Sequence, residues 1–276
     1  MTLEFTKMHG LGNDFIVIDA INQSVYLTAA QVQQLADRHL GIGFDQLLLV
    51  EAATGPHADF RYRIYNADGG EVGQCGNGAR CFMQFVHEHG LSGKQALQVE
   101  TLGGPLQLRR EADGQITVDM GIPRLEPADI PFLADRREII YQIESEGISM
   151  EISAVSMGNP HAVIRVDAIA HAPVAELGPA LERHARFPQR VNVGFMEIVD
   201  ADTIRLRVYE RGAGETLACG SGACAAVVAG RLQQRLSARV KVLLNGGELV
   251  VSWAGEGQPV LMTGPATTVY QGRIEL

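Results

Sequence analysis

The chain has 276 residues, 46% of them hydrophobic, enough for one large core or two domains of ordinary size, which excludes an intrinsically disordered chain. Its net charge of −9 repels phosphate backbones and no basic cluster interleaved with aromatics offsets it, so nucleic acid is excluded as the expected partner. The N-terminal Met1-Thr-Leu-Glu-Phe-Thr-Lys lacks the basic start and apolar stretch of a secretory signal, and no apolar run approaches the ~18 residues of a membrane span, so a cytoplasmic protein is expected.

Short β-branched and aromatic runs bounded by turn residues predict strands at 15–18, 47–50, 59–65, 106–109 and 116–119. A second series follows at 162–165, 195–198, 203–209, 249–252 and 260–263. Helical periodicity predicts helices at 28–39, 76–89, 173–185 and 221–235. The helix opening at Ala223-Cys-Ala-Ala-Val-Val-Ala-Gly is small and apolar all round, which suits a helix buried on every side by strands.

The two series are one unit written twice. An offset of 144 places Cys75-Gly-Asn-Gly-Ala79 on Cys219-Gly-Ser-Gly-Ala223, and eight of the seventeen positions from 63 to 79 are identical to their partners. Downstream the offset is 143, with Gly103-Gly104-Xaa-Leu106 answered by Gly246-Gly247-Xaa-Leu249. Upstream it is 146, pairing Gly12-Asn13 with Gly158-Asn159 and Gln46 with Asn192. The copies span roughly 3–123 and 149–266, joined by 124–148 and followed by a tail at 267–276.

A cytoplasmic location keeps the cysteines at 75, 81, 219 and 224 as thiols, and their spacings match no common zinc pattern, so no metal is expected. Cys81 and Cys224 fall inside the helices and read as packing residues. Cys75 and Cys219 directly precede a helix, where the dipole and unpaired N–H groups favour a thiolate and bind an anion such as a substrate carboxylate. One such motif is ordinarily a glycine turn beside a buried cysteine; two copies that share the cysteine call for more. Two thiols at one carbon suit inversion of a stereocentre, because a single base returns a proton only to the face from which it took it. When the thiols are close, ionising one discourages the other, which leaves one thiolate and one thiol. Lys7, Lys94 and Lys241 carry no pyridoxal phosphate signature, so a cofactor-free reaction is expected.

These residues resemble the diaminopimelate epimerase family over essentially the whole chain. The carriers are Gly10-Leu-Gly-Asn-Asp-Phe, Asn66-Xaa-Asp-Gly, Cys75-Gly-Asn-Gly-Ala-Arg80, Gly158-Asn-Pro-His161, Glu210-Arg211-Gly and Ala218-Cys-Gly-Ser-Gly-Ala-Cys224. Gly70, where serine is expected in many members, is a departure read as turn chemistry.

The resemblance implies an α+β fold of two pseudo-symmetric domains from an internal duplication. Each would be a curled, mostly antiparallel, barrel-like sheet around a central helix, with the active site in the cleft between them. The implied domains are 1–119 with 266–276, and 120–265. The implied activity is cofactor-independent epimerisation of LL-diaminopimelate to the meso isomer, by a homodimer. Cys75 and Cys219 would be the acid/base pair, assisted by His161 and Glu210. Substrate contacts would fall on Asn13, Gln46, Asn66, Asn159, Asn192, Arg211 and the amides of Gly76, Asn77, Gly220 and Ser221. Arg211 stands opposite Ala67 in the repeat and would take the distal carboxylate, which alanine cannot. Three alternatives stay open at this level: a racemase of proline or hydroxyproline, a dithiol redox protein, and a non-catalytic carboxylate-binding module.

Overall fold

The computed structural model describes residues 2–73 and 75–276. The chain forms two compact units, Met1–Asp119 with Thr263–Leu276, and Met120–Met262. The first opens with β1 (Thr2–Gly10) and β2 (Asn13–Asp19), then α1 (Ala29–Ala36), β3 (Gln46–Ala52), β4 (Phe60–Asn66), β5 (Glu71–Val72), α2 (Gly76–Glu88), β6 (Ala96–Thr101), β7 (Gly104–Arg110) and β8 (Ile116–Asp119). The second holds β9 (Tyr141–Ser145), β10 (Ile148–Ser156), β11 (Pro160–Arg165), α3 (Val174–Glu182), β12 (Asn192–Asp200), β13 (Thr203–Glu210), β14 (Gly214–Thr216), α4 (Gly220–Leu232), β15 (Arg239–Leu244) and β16 (Gly247–Trp253). β17 (Val260–Gly264) leads back into the first unit, where β18 (Thr267–Glu275) completes the chain.

In the first unit β18, β1 and β2 pair antiparallel, β2 runs parallel to β3, β3 pairs antiparallel with β4, β4 runs parallel to β6, and β6, β7 and β8 are antiparallel. The second unit repeats the series: β9, β10 and β11 antiparallel, β11 parallel to β12, β12 antiparallel to β13, β13 parallel to β15, and β15 antiparallel to β16. The duplication extends to register. Phe15 faces Gln46 as His161 faces Asn192, Leu47 faces Tyr65 as Val193 faces Tyr209, and Val99 faces Leu106 as Val242 faces Leu249. The class is α+β, and the sheet is open rather than a closed barrel.

Each unit is layered in the same way. The cysteine-capped helix packs on one set of strands, α2 against β1, β2, β3, β7 and β8, and α4 against β10, β11, β12, β13 and β16. In α4 the run Gly222 to Gly230 is wholly buried, as a helix without a polar face requires. The shorter helices line second cores. Val32 and Leu35 of α1 pack with Leu3, Phe5, Ile16, Ile18 and Leu47; Leu177 and Leu181 of α3 pack with Phe132, Phe187 and Phe195.

Eight strands, β1, β5, β6, β9, β10, β14, β15 and β18, lie outside the expected set. β1 buries Thr6 and Lys7, which breaks the apolar alternation that marks a strand; the Lys7 ammonium is neutralised by Asp14 at 2.6 Å. β18 is exposed along most of its length and is held by its ladder to β1. The helix expected over 28–39 stops at Ala36, because the Asp37 carboxylate takes the amides of His39 and Leu40, each at 2.7 Å, into a turn. No helix among the described residues is long and apolar enough to cross a membrane.

Candidate active site

The first unit assembles its polar residues around the start of α2. Cys75 is the N-cap residue, with extended backbone (φ −143°, ψ 121°), so the Gly76 and Asn77 amides open the first turn. The Tyr62 hydroxyl donates to the Cys75 carbonyl at 3.4 Å from β4 beneath it. Asn13 enters from the start of β2, after Gly12 at φ +89°, a left-handed conformation that glycine adopts without strain. The Asn13 Oδ1 lies 3.7 Å from Cys75 Sγ and accepts from Asn77 Nδ2 at 3.3 Å. Gln46 and Asn66 face each other across β3 and β4, and the Gln46 Nε2 donates to Asn66 Oδ1 at 2.8 Å.

The second unit builds the corresponding arrangement on α4. Cys219 is the N-cap, and its Sγ accepts from the Gly222 amide at 3.4 Å and lies 3.6 Å from the Ser221 hydroxyl. Asn159 follows Gly158 at φ +91°, as Asn13 follows Gly12. Its Nδ2 donates to Ser221 Oγ at 3.4 Å, and its Oδ1 accepts the Nε2 hydrogen of His161 at 3.1 Å. Asn192 bridges two elements: Nδ2 donates to the Pro160 carbonyl and Oδ1 accepts from the Arg211 amide, both at 3.0 Å. The Arg211 guanidinium donates to the Gln189 carbonyl, and the following Gly212 amide is held by the buried carboxylate of Glu182 at 2.9 Å.

The electrostatics of the second unit are set by burial. Burial, then the charge of Glu210, pushes the Cys219 thiol well above its ordinary range, against the opposing pull of the Ser221 and Gly222 donors. Cys219 is therefore a thiol at neutral pH. Glu210 itself accepts from the Thr216 hydroxyl at 2.5 Å. His161 is pushed down to about 3 by burial and then by the positive charge of Arg211, so its imidazole is neutral at pH 7. Cys81, inside α2, is raised to about 12 by burial and is inert by the same reasoning.

The family model for diaminopimelate epimerase matches residues 5–126 and 153–269. Curated diaminopimelate epimerases from Aromatoleum aromaticum and Chromobacterium violaceum are each 62% identical, over 100% of both chains. The chain belongs to the diaminopimelate epimerase family. Solved structures share the fold at lower identity. A hydroxyproline epimerase from Agrobacterium vitis has a TM-score of 0.70 at 15% identity and covers 99% of this chain and 92% of its own. A predicted epimerase from Pseudomonas aeruginosa has a TM-score of 0.68 at 17% identity, covering 99% of each chain.

Of the residues that the diaminopimelate epimerase resemblance names, the first unit brings together Asn13, Cys75, Gly76 and Asn77, with Gln46 and Asn66 paired. The second brings together Asn159, His161, Cys219, Gly220 and Ser221, with Asn192 tied to Arg211. His161 stands where the first unit has Phe15, so the same strand register carries a polar group in one copy and an apolar one in the other. Two polar residues beside the first set escaped the sequence reading. Asp45 accepts from Asn13 Nδ2 at 2.9 Å, and the wholly buried Arg80 donates to Asn77 Oδ1 at 3.1 Å. Arg80 stands inside the Cys75-Gly-Asn-Gly-Ala-Arg80 motif, and its signal is a charged residue wholly buried in α2.

Proposed function

We propose that the protein interconverts LL- and meso-2,6-diaminopimelate by a two-thiol exchange of the α-proton without a cofactor, as a cytoplasmic homodimer supplying lysine and cell-wall precursors. The observation that carries this reading is a pair of repeat-related helices, each N-capped by a cysteine, in a chain of this family. The homodimer rests on the family alone.

In each turnover one thiolate takes the α-proton and becomes a thiol, and the C–H electron pair stays on the α-carbon beside the carboxylate. The other thiol delivers its proton to the opposite face and becomes the thiolate, so proton and charge balance within the pair. The amides of Gly76 and Asn77 and of Gly220 and Ser221 receive the α-carboxylate, where fixed donors meet the charge that develops as the proton leaves. Cys219, kept as a thiol by burial and Glu210, is the proton donor of the resting protein. Once it has donated, the Gly222 amide and Ser221 hydroxyl steady its thiolate.

His161, being neutral, serves by holding Asn159 rather than by carrying charge. Asn13, Gln46, Asn66, Asn159 and Asn192 supply polar contacts to the α-amino and carboxylate groups. Arg211 clamps the distal carboxylate through paired N–H groups. The test is incubation with LL-diaminopimelate in D2O under reducing conditions, followed by NMR. Deuterium entering the α-position with formation of the meso isomer is the expected result. No exchange at saturating substrate overturns the reading, and exchange into proline or hydroxyproline instead moves the chain to a sister activity.

A further inference from the structure

A primary amide has two ends of similar shape and opposite polarity, so an Asn beside a catalytic thiol can present either C=O or N–H. The choice matters: an acceptor steadies the S–H form, whereas a donor steadies the thiolate. Around Cys75 the choice is fixed by a chain of four side chains. Arg80, which donates only and keeps its charge, gives Nη2–H to Asn77 Oδ1 at 3.1 Å. Asn77 must then turn its Nδ2 outward, and it donates to Asn13 Oδ1 at 3.3 Å. Asn13 turns its own Nδ2 to Asp45 Oδ2 at 2.9 Å, and an ionised carboxylate accepts only. With both ends of fixed polarity, neither amide flips without setting donor against donor or acceptor against acceptor.

The remaining lone pair of Asn13 Oδ1 faces Cys75 Sγ at 3.7 Å. The Asp45 end is itself braced: the same Oδ2 accepts the Asp14 amide at 3.1 Å, and Arg38 binds both Asp14 and Asp45 at 2.8 Å. The second unit lacks both ends. Its counterpart of Arg80 is Cys224, Ser221 replaces Asn77, and Asn159 points Nδ2, not oxygen, toward the cysteine side.

We propose that Asp45 and Arg80 are positioning residues that lock the Asn77 and Asn13 amides in one polarity, so that Cys75 always meets an oxygen acceptor. This rests on the reading of Cys75 and Asn13 as site residues. The lock acts through Asn13, and it steadies Cys75 as the thiol that it becomes on taking the α-proton.

The test is a double-mutant cycle between Asp45→Asn and Asn13→Ala, read by α-deuterium exchange into LL-diaminopimelate and by kcat and KM separately. Asp45→Asn keeps size and loses polarity, and is expected to lower kcat about tenfold with KM changed less than about threefold. Asp45→Glu keeps the acceptor-only carboxylate and adds a methylene; it is expected to retain more kcat than Asp45→Asn, the reverse of the order set by packing. In the Asn13→Ala background the Asp45→Asn effect shrinks to under about twofold. Arg80→Lys, which keeps a donor-only end, is expected to exceed Arg80→Gln in kcat per folded protein. Equal Asp45→Asn effects with and without Asn13, or kcat within twofold of wild type for Asp45→Asn, overturn the lock while leaving the site reading intact. Asn13→Ala at wild-type activity overturns the site reading, and the lock falls with it.

Discussion

A thiol that donates a proton at neutral pH has to stay protonated until substrate arrives, and Cys219 meets that condition through burial first and the Glu210 carboxylate second. The donors on its sulfur, the Gly222 amide and the Ser221 hydroxyl, pull the other way and lose that contest in the free protein. Removing the Glu210 charge should tilt the balance toward thiolate. Glu210→Gln is therefore expected to speed iodoacetamide labelling of Cys219 at pH 8 about three- to tenfold, with the site mapped by peptide mass spectrometry, while turnover falls. An unchanged labelling rate would mean that burial alone keeps the proton. His161 illustrates what residue type alone conceals: histidine in a site motif suggests an acid or base, yet burial and Arg211 leave a neutral ring that donates to Asn159.

At the scale of elements, α2 and α4 were legible because their signal is local: cysteine at the N-cap and glycines in the first turn, followed in α4 by small apolar residues. The strands β1 and β18 were not, since what holds them is a ladder of pairs between the two ends of the chain, with Lys7 buried on an ion pair. The amide chain around Cys75 was half legible. Asn13 and Asn77 lie in motifs, but Asp45 joins Asn13 across 32 residues and reveals itself only in space. The glycines of α2 also have a packing meaning. A Cβ on Gly78 would sit 2.5 Å from the Tyr62 hydroxyl oxygen and 3.3 Å from Phe15. Both rings are buried and rigid, so α2 would have to move off β4, taking Cys75 with it. Gly78→Ala is expected to destabilise the protein by about 1–3 kcal/mol in urea unfolding. Part of the loss should return in the Tyr62→Phe background, where the contacting oxygen is gone. A Gly78→Ala protein as stable as wild type would show that the helix start tolerates a shift.

For the whole molecule, the duplicated registers leave two units of like architecture with unlike acid sensitivity, because their buried charges differ. In the second unit His161 takes a proton near pH 3 when folded, against 6.5 for an unperturbed imidazole. Between those values the unfolded chain binds more protons than the folded one, so stability falls as pH drops from about 6.5 toward 3. In the first unit burial would raise Asp14, but hydrogen bonds and charges from Arg38 and Lys7 outweigh it and hold the carboxyl well below its ordinary value of 3.8. Its contribution is present above that value and is lost only as pH falls below it. The chain has a single tryptophan, Trp253, buried in the second unit, so fluorescence reports on the unit that contains His161. The urea midpoint read by Trp253 is expected to decline from pH 7 to pH 4, by a free-energy change on the order of a few kcal/mol. His161→Gln, which keeps a donor for Asn159 and has no proton to gain, should remove most of that decline. Asp14→Asn should lower stability at pH 7, where the carboxylate is at work, and converge on wild type only below about pH 4. A decline that persists in His161→Gln would assign the acid sensitivity of the second unit to its carboxylates instead, and with it the claim that burial keeps this imidazole neutral would fail.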